Sequence, residues 1–304
     1  MAKHSTSKTV NANAIIALVL ILLGLGVLLY PVVATQWNNY SQSRAADEYS
    51  KLEKQAPPEA LHTAWDQAQE YNAQLGEINV ADAWTTSDDE DSPEYQRYRQ
   101  YLSILSETDA MGRIVIPSIK SDLPIYHGTS EQALSRGVGH LYGTDLPVGG
   151  VGNGEGRHTA LSAHTGLQDA TLWDNLSKVK EGDHFYIATG GKKLKYEVHQ
   201  IRVVDPSDTA SLRREAGQDL FTLITCTPYG INTHRLLVTG HQVPMDPDDD
   251  SAFDGSGLQW QWWMWAICAA ALVIVLLLIY WWRRYVSERK KASDLSTENP
   301  SCAL

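Results

Sequence analysis

The 304-residue sequence predicts a mainly β chain, folded as a closed or nearly closed, antiparallel-rich barrel with helices before it. From Gly112 the chain carries eight short apolar or alternating runs: Arg113 to Ile116, Leu123 to Tyr126, Val138 to Leu141, Arg157 to Ala163, His184 to Ala188, Lys193 to Val204, Leu220 to Cys226 and Arg235 to Val243. Clusters of glycine, proline and aspartate separate them, as they separate strands. No regular alternation of helices intervenes, which favours a barrel over a parallel α/β sheet.

In chain order, residues 1–13 hold Lys3 and Lys8, and residues 14–34 form an uncharged apolar run. About 20 such residues cross a bilayer core. A cleaved signal peptide is the rival account of this run, with Val32-Val33-Ala34 as a cleavage site. Residues 260–282 form a second uncharged run, with Trp260, Trp262 and Trp263 at one end and Trp281 and Trp282 at the other. That placement suits the two interfaces of a membrane, and the basic tail of residues 283–304 marks the cytoplasmic side. Two spans with both ends inside place residues 35–259 outside the cell. The net charge of −11 excludes a nucleic-acid surface as the main function.

Residues 35–110 are expected to be helical. Leu61, Trp65, Ala68 and Leu75 recur at helical spacing, as do Tyr95, Tyr98, Leu102 and Leu105, while Ala56-Pro57-Pro58 breaks the region in two. These helices serve either as a stalk or as packing elements on the barrel. Between them, at about residues 76–94, lies an acidic loop without periodicity: Asp82-Ala83-Trp84, then Asp88-Asp89-Glu90-Asp91. Solvation is the ordinary meaning of such a run, but a tryptophan in it needs cover. Gly149 to Gly156 lacks the lysine of a phosphate-binding loop and reads as a flexible connection. One short helical piece is expected at Leu172, Leu176 and Val179. Residues 111–245 are thus the barrel, and residues 246–259 an acidic linker into the second apolar run.

The chemistry centres on Cys226. It ends the run Leu220 to Ile224, and Pro228 and Gly230 stop the strand just beyond it. Arg235 opens the next strand, so a hairpin brings both side chains to one rim. Of the three cysteines, Cys268 lies in the second apolar run and Cys302 in the basic tail. Cys226 is therefore the sole thiol of the exported part, where it is an oxidation liability unless used. A buried inert thiol is the plain alternative. His164 also ends a strand, whereas His241 lies inside one, in a structural position. No second cysteine and no paired-histidine motif accompanies them, so no metal site and no cofactor is expected.

Leu161-Ser162-Ala163-His164-Thr165-Gly166-Leu167 and Thr222-Leu223-Ile224-Thr225-Cys226-Thr227-Pro228-Tyr229-Gly230-Ile231-Asn232-Thr233-His234-Arg235 resemble the two signature stretches of sortases. The extension after the cysteine, the two apolar runs and the acidic-aromatic loop resemble class C, the pilin-polymerising sortases. The resemblance covers about residues 35–245. It implies an eight-stranded sortase barrel, with His164, Cys226 and Arg235 as catalytic residues and Thr225 and Ala163 near the substrate groove. Asp82-Ala83-Trp84 resembles the lid tripeptide of class C, with Ala83 in place of proline. By that resemblance Asp82 faces Arg235 and Trp84 covers Cys226.

The implied reaction is attack by Cys226 on the threonine carbonyl of an L-P-x-T-G-like sorting signal. The resulting thioester is passed to a lysine amine of the next pilin subunit. The expected partners are pilin and surface-protein substrates and the membrane. Two other readings stand beside it: a sortase that anchors proteins to peptidoglycan, and a non-catalytic, membrane-tethered binding barrel.

Overall fold

The computed structural model describes residues 12–75, 92–255 and 259–298. Asp82 and Trp84 lie outside the described residues. Two compact units divide the chain: Thr35–Gln259 is one, and Met1–Ala34 with Trp260–Leu304 is the other.

The second of these holds the first part of helix α1 (Ala12–Gln55) and helix α5 (Trp262–Glu298). Each is long and apolar enough to cross a membrane. Both are rich in Leu, Ile, Val and Ala, whose side chains favour or tolerate the helix, although the run in α1 also holds Gly24, Gly26 and Pro31.

The larger unit is a closed eight-stranded barrel. Its strands are β1 (Gly112–Ile116), β2 (Ser121–His127), β3 (Val138–His140), β4 (Arg157–Ser162), β5 (His184–Thr189), β6 (Lys192–Val204), β7 (Asp219–Thr227) and β8 (His234–Val243). All eight expected strands are present. Their order around the barrel is β1-β2-β3-β4-β7-β8-β6-β5, with β5 closing on β1. Two neighbouring pairs are parallel, β2 with β3 and β4 with β7. A short helix α4 (Glu131–Arg136), capped by Ser130, makes the first of these crossovers.

The barrel core combines aliphatic side chains such as Ile114, Ile125, Leu161, Ile187 and Leu223 with a group of aromatic rings. Phe185 stacks on Tyr196 at 5.3 Å between centroids, and Phe221 meets Tyr196 at 5.0 Å. Helices α2 (Pro58–Gln74) and α3 (Pro93–Ser103) extend this core: Ala64, Trp65, Ala68 and Tyr71 of α2 and Tyr101 of α3 are buried in it. The helices before the barrel therefore pack on it and are more than a stalk. The break between α1 and α2 falls where Ala56-Pro57-Pro58 predicts it, and Pro58 takes the first turn of α2, where a missing N–H costs nothing.

The stem of α1 is tied to the barrel through Arg113 of β1. This guanidinium is buried and forks onto Asp122 at 2.8 and 2.6 Å. It also reaches Asp47 and Ser50 of α1, each at 3.0 Å. A buried arginine is tolerable only when so fully paired. On the other side, the acidic segment after β8 forms a 3-10 helix, Pro247–Asp254, with a capping box. Lys195 of β6 bridges Asp246 and Asp249 at 2.9 Å each, and Tyr186 donates to Asp249. Composition marks this segment as a linker. Its charges are matched to two lysines of the β6 strand, since Lys193 also pairs with Asp250.

Candidate active site

Alternation along β4, β7 and β8 sorts their side chains onto the two faces of the barrel wall. Leu161, Phe221, Leu223, Leu236 and Val238 join the main core. Ala160, Ile224 and Leu237 form a separate apolar cluster on the other face, with Leu212, Leu141 and Val204. The register stacks this outer face in rows. His158 is level with Leu220, Ala160 with Thr222, and Ser162 with Ile224. Across β8, Leu220 is level with His241, Thr222 with Thr239, Ile224 with Leu237, and Cys226 with Arg235.

Cys226 and Arg235 are thus direct cross-strand neighbours at the rim, with Cβ atoms within about 5.5 Å by strand geometry. Continuing the β4–β7 register by two residues sets His164 level with Cys226. The backbone holds that register past the end of β4: Ala163 N–H donates to the Ile224 carbonyl at 3.1 Å, and the Thr225 hydroxyl donates to the Ala163 carbonyl at 2.8 Å. The row His164, Cys226, Arg235 therefore caps the outer face, directly above the apolar row of Ile224 and Leu237.

The segment after β4 is fixed from several sides. Trp173 N–H donates to the His164 carbonyl at 3.2 Å, and Trp173 is fully buried. Asp174 accepts from the Thr165 hydroxyl at 3.1 Å and from Gly166 N–H at 2.7 Å. Burial raises the Asp174 carboxyl above its ordinary range. The stem of α1 braces the same segment. Asn39 exchanges two hydrogen bonds with Thr171, at 2.8 and 3.0 Å, and Asn38 donates to the Asp169 carbonyl.

Against this fixed backbone, the functional groups of the rim are under-satisfied. The Nε2 atom of His164 is buried and has no hydrogen-bond partner among the described residues. The nearest carboxylate oxygen, on exposed Glu131, is 3.6 Å away. Among the described residues Arg235 donates to carbonyls of its own turn, Asn232 at 3.4 Å and His234 at 3.2 Å. Among the described residues no carboxylate pairs with it. The Cys226 thiol is reduced and half-buried. A thiol, an imidazole and a guanidinium held in one row, with donor and acceptor capacity left over, is an arrangement suited to nucleophilic acyl transfer.

The other residues expected at the site are placed differently. Thr225 and Ala163 are both buried, at 4% and 3% exposure, and bonded to each other. Alternation turns them away from the outer face, so they hold His164 beside Cys226. The outer face below the rim carries the buried apolar cluster of Ala160, Leu212, Ile224 and Leu237, with Leu141 and Val204 packed against it. The period-2 pattern marks Ile224 and Leu237 as sharing a face with Cys226 and Arg235. Leu212 carries no such signal, because it reaches the site from the loop between β6 and β7. His241 lies beside His199, with Nδ1 atoms 3.3 Å apart, well away from the rim row. No group of three metal-ligating side chains occurs among the described residues.

The sortase-domain family model matches residues 114–243, which is the barrel. Among solved structures, sortase C-1 from Actinomyces oris is 50% identical and superposes with a TM-score of 0.56, covering 62% of this chain and 99% of its own. Sortase C from Streptococcus pneumoniae is 37% identical with a TM-score of 0.57, over 66% of this chain and 97% of its own. Sortase A from Corynebacterium diphtheriae is 40% identical with a TM-score of 0.58, over 71% and 97%. Among curated proteins, sortase A of Bacillus anthracis is 30% identical over 139 residues, which are 46% of this chain and 62% of that relative's length. On the barrel topology, the family match over the barrel and these likenesses, the chain belongs to the sortase family.

Proposed function

We propose that this protein is a membrane-anchored cysteine transpeptidase that builds covalent pili from pilin subunits. The observation that carries the reading is the rim row: Cys226 paired with Arg235 in register, beside a His164 whose Nε2 has no hydrogen-bond partner among the described residues. The Cys226 thiolate attacks the threonine carbonyl of an L-P-x-T-G-like signal lying along the outer face. The oxyanion of the tetrahedral intermediate accepts hydrogen bonds from Arg235. Collapse breaks the threonine–glycine bond, and the imidazolium of His164 gives its proton to the departing amine. A thioester on Cys226 remains. A lysine amine of another pilin attacks it, loses its proton to His164 and expels the thiolate as the isopeptide bond forms.

Pilin as the substrate rests on the neighbours: the pneumococcal enzyme is described with pilin substrate specificity, and sortase C of Group B Streptococcus as pilus-related. Helices α1 and α5 are the proposed membrane spans, with the barrel outside the cell and both termini inside. From the sequence, Asp82 and Trp84 form a lid over the site. The test is to incubate residues 35–259 with candidate pilins and sorting peptides. Isopeptide-linked oligomers that vanish in Cys226→Ala support the reading. Transfer only to peptidoglycan stem-peptide amines would favour the anchoring sortase instead, and absence of any acyl transfer would leave a binding barrel.

A further inference from the structure

Cys226 and Arg235 lie on strands, and their pairing is set by the β7–β8 register. His164 lies beyond the end of β4, where the sheet holds its neighbour Ala163 but not the chain that follows. What holds that chain therefore decides where His164 stands. The His164 carbonyl accepts from Trp173 N–H, and the residue before Trp173 is backbone-strained: Leu172 has φ +36°. A residue with a bulky side chain avoids this left-handed region. It stays there only where its surroundings over-determine it. Leu172 and Trp173 are both buried, which fixes one side of the turn.

The other side is held by α1. Asn39 grips Thr171 twice: its Oδ1 accepts from Thr171 N–H at 3.0 Å and its Nδ2 donates to the Thr171 hydroxyl at 2.8 Å. The Thr171 carbonyl in turn accepts from Asp174 N–H at 2.9 Å, and the Asp174 carboxylate holds Thr165 and Gly166 beside His164. Asn38 donates to the Asp169 carbonyl at 2.8 Å and Thr35 to the Gln168 carbonyl at 3.3 Å. Residues 35, 38 and 39 share one helix face by their spacing. The segment is held again where the chain leaves the barrel unit. Gln259 Oε1 accepts from Asn175 Nδ2 at 3.2 Å, and the Gln259 carbonyl accepts from Gln36 Nε2 at 2.8 Å. Thr35 and Gln259 are the first and last residues of that unit, and each adjoins one of the two apolar runs in sequence. Both juxtamembrane ends thus grip residues 168–175, through bonds that serve no step of the proposed reaction.

We infer that Asn39 is a positioning residue for the reaction: by gripping Thr171 it sustains the left-handed turn at Leu172 and keeps His164 in its row with Cys226. This rests on the acyl-transfer reading given above, in which His164 moves the proton. The juxtamembrane stem of α1 then supports catalysis as well as anchorage. Its effect falls on proton transfer and not on peptide binding, because the Cys226–Arg235 pairing is fixed by the β7–β8 register and does not pass through Asn39. Without the grip the strained turn relaxes and His164 samples positions from which it cannot reach the leaving amine.

The test uses the full-length chain in lipid nanodiscs and compares the parent with Asn39→Ala, Asn39→Asp and Gln42→Ala. Gln42 is the control: it lies on the same stem but donates to the Ser135 carbonyl, away from residues 168–175. Two quantities are read: kcat and KM for a fluorogenic L-P-x-T-G-like peptide, and amide exchange along the chain. For Asn39→Ala the expected result is a fall in kcat of about tenfold, part of the 10²–10⁴-fold that general acid–base catalysis supplies. KM should stay within about twofold of the parent, the sign of an interaction lost in the transition state and not in binding. Faster exchange should be confined to residues 165–175. Asn39→Asp keeps acceptors for both the N–H and the hydroxyl of Thr171 and should recover most of the parental kcat. Gln42→Ala should match the parent. An unchanged kcat in Asn39→Ala overturns the inference, and so does a loss of equal size in Asn39→Asp or Gln42→Ala. Faster exchange across the whole barrel also overturns it, since Asn39 would then be a general stabiliser. If the parent turns over no peptide, the acyl-transfer reading fails. The exchange comparison still decides the grip, because equal exchange over 165–175 in parent and Asn39→Ala overturns it.

Discussion

Two histidines six residues apart on one strand face show how this molecule separates scaffold from chemistry. His158 lies low on the outer face of β4, with Nδ1 bonded to a carbonyl and Nε2 to a threonine hydroxyl. Burial lowers its pKa, so it is neutral around pH 7. His164, at the rim of the same face, has a backbone held as firmly but a ring nitrogen, Nε2, with no hydrogen-bond partner among the described residues. The same contrast divides the arginines. Arg214 is saturated by a buried carboxylate and a carbonyl, whereas Arg235 makes two long contacts to its own turn. A buried polar group left unpaired costs stability, and at the rim it leaves hydrogen-bonding capacity that a bound peptide can use.

The contrast is tested first at its reactive end. Cys226→Ala is expected to abolish peptide cleavage and transfer, while urea unfolding places its stability within about 0.5 kcal/mol of the parent. A variant that keeps turnover removes Cys226 from the chemistry. Arg235→Lys is expected to lower kcat by about 10²–10³-fold, the usual cost of a lost oxyanion donor, because lysine lacks the planar fork. Near-parental kcat in steady-state assays would make Arg235 a general surface cation.

The saturated end is expected to respond in stability. Asp145→Ala leaves Arg157 and Arg214 without their buried carboxylate and should cost about 3–5 kcal/mol in urea unfolding. A loss below about 1 kcal/mol would show the network to be incidental.

A smaller effect concerns Asp219, buried near this network, where Gly150 N–H and the Tyr196 hydroxyl donate to its carboxylate. Desolvation outweighs those bonds and raises its pKa to about 7. The raised value means that the folded state keeps a proton which the unfolded chain has already lost between about pH 4 and pH 7. The stability contributed by Asp219 therefore falls as pH rises through that window. Relative to Asp219→Asn, the parent should lose roughly 2–4 kcal/mol from pH 4 to pH 7. Parallel pH profiles for the two proteins would show that Asp219 titrates normally.

The smallest effect lies in the acidic loop read from sequence. Trp84→Ala should speed alkylation of Cys226 severalfold, and Asp82→Ala less, because burying an indole contributes more than a partly exposed ion pair. Equal rates in parent and Trp84→Ala would make the stretch an ordinary solvated loop.

Much of this arrangement is legible in the sequence, for identifiable reasons. Strands carry a period-2 pattern and end at glycine and proline, so all eight runs and the rim positions of Cys226 and Arg235 can be read directly. The break before α2 is equally plain at Pro57-Pro58. Pairings between distant strands leave no such trace. That β4 runs parallel to β7, and so sets His164 beside Cys226, is decided by barrel closure. The buried ion pair is hidden for the same cause: Asp145 and Arg214 are 69 positions apart, and each alone reads as a surface charge. Helix α4 is too short to show a period, and the acidic segment after β8 gains its order from lysines on β6. Thr225 and Ala163 show what motif reading leaves out: they adjoin Cys226 and His164 in sequence, but strand alternation turns them to the inner face, where they bond to each other.

The most direct test of the account is the mass of the enzyme during turnover. Residues 35–259 are mixed with a sorting peptide, quenched in acid within seconds and weighed intact, then digested to locate any adduct. The account predicts a mass gain equal to the peptide's acyl portion up to and including its threonine. The adduct should lie on Cys226, be released by hydroxylamine and be absent from Cys226→Ala. Peptide cleavage with no thioester on Cys226, or an adduct on any other residue, would contradict it.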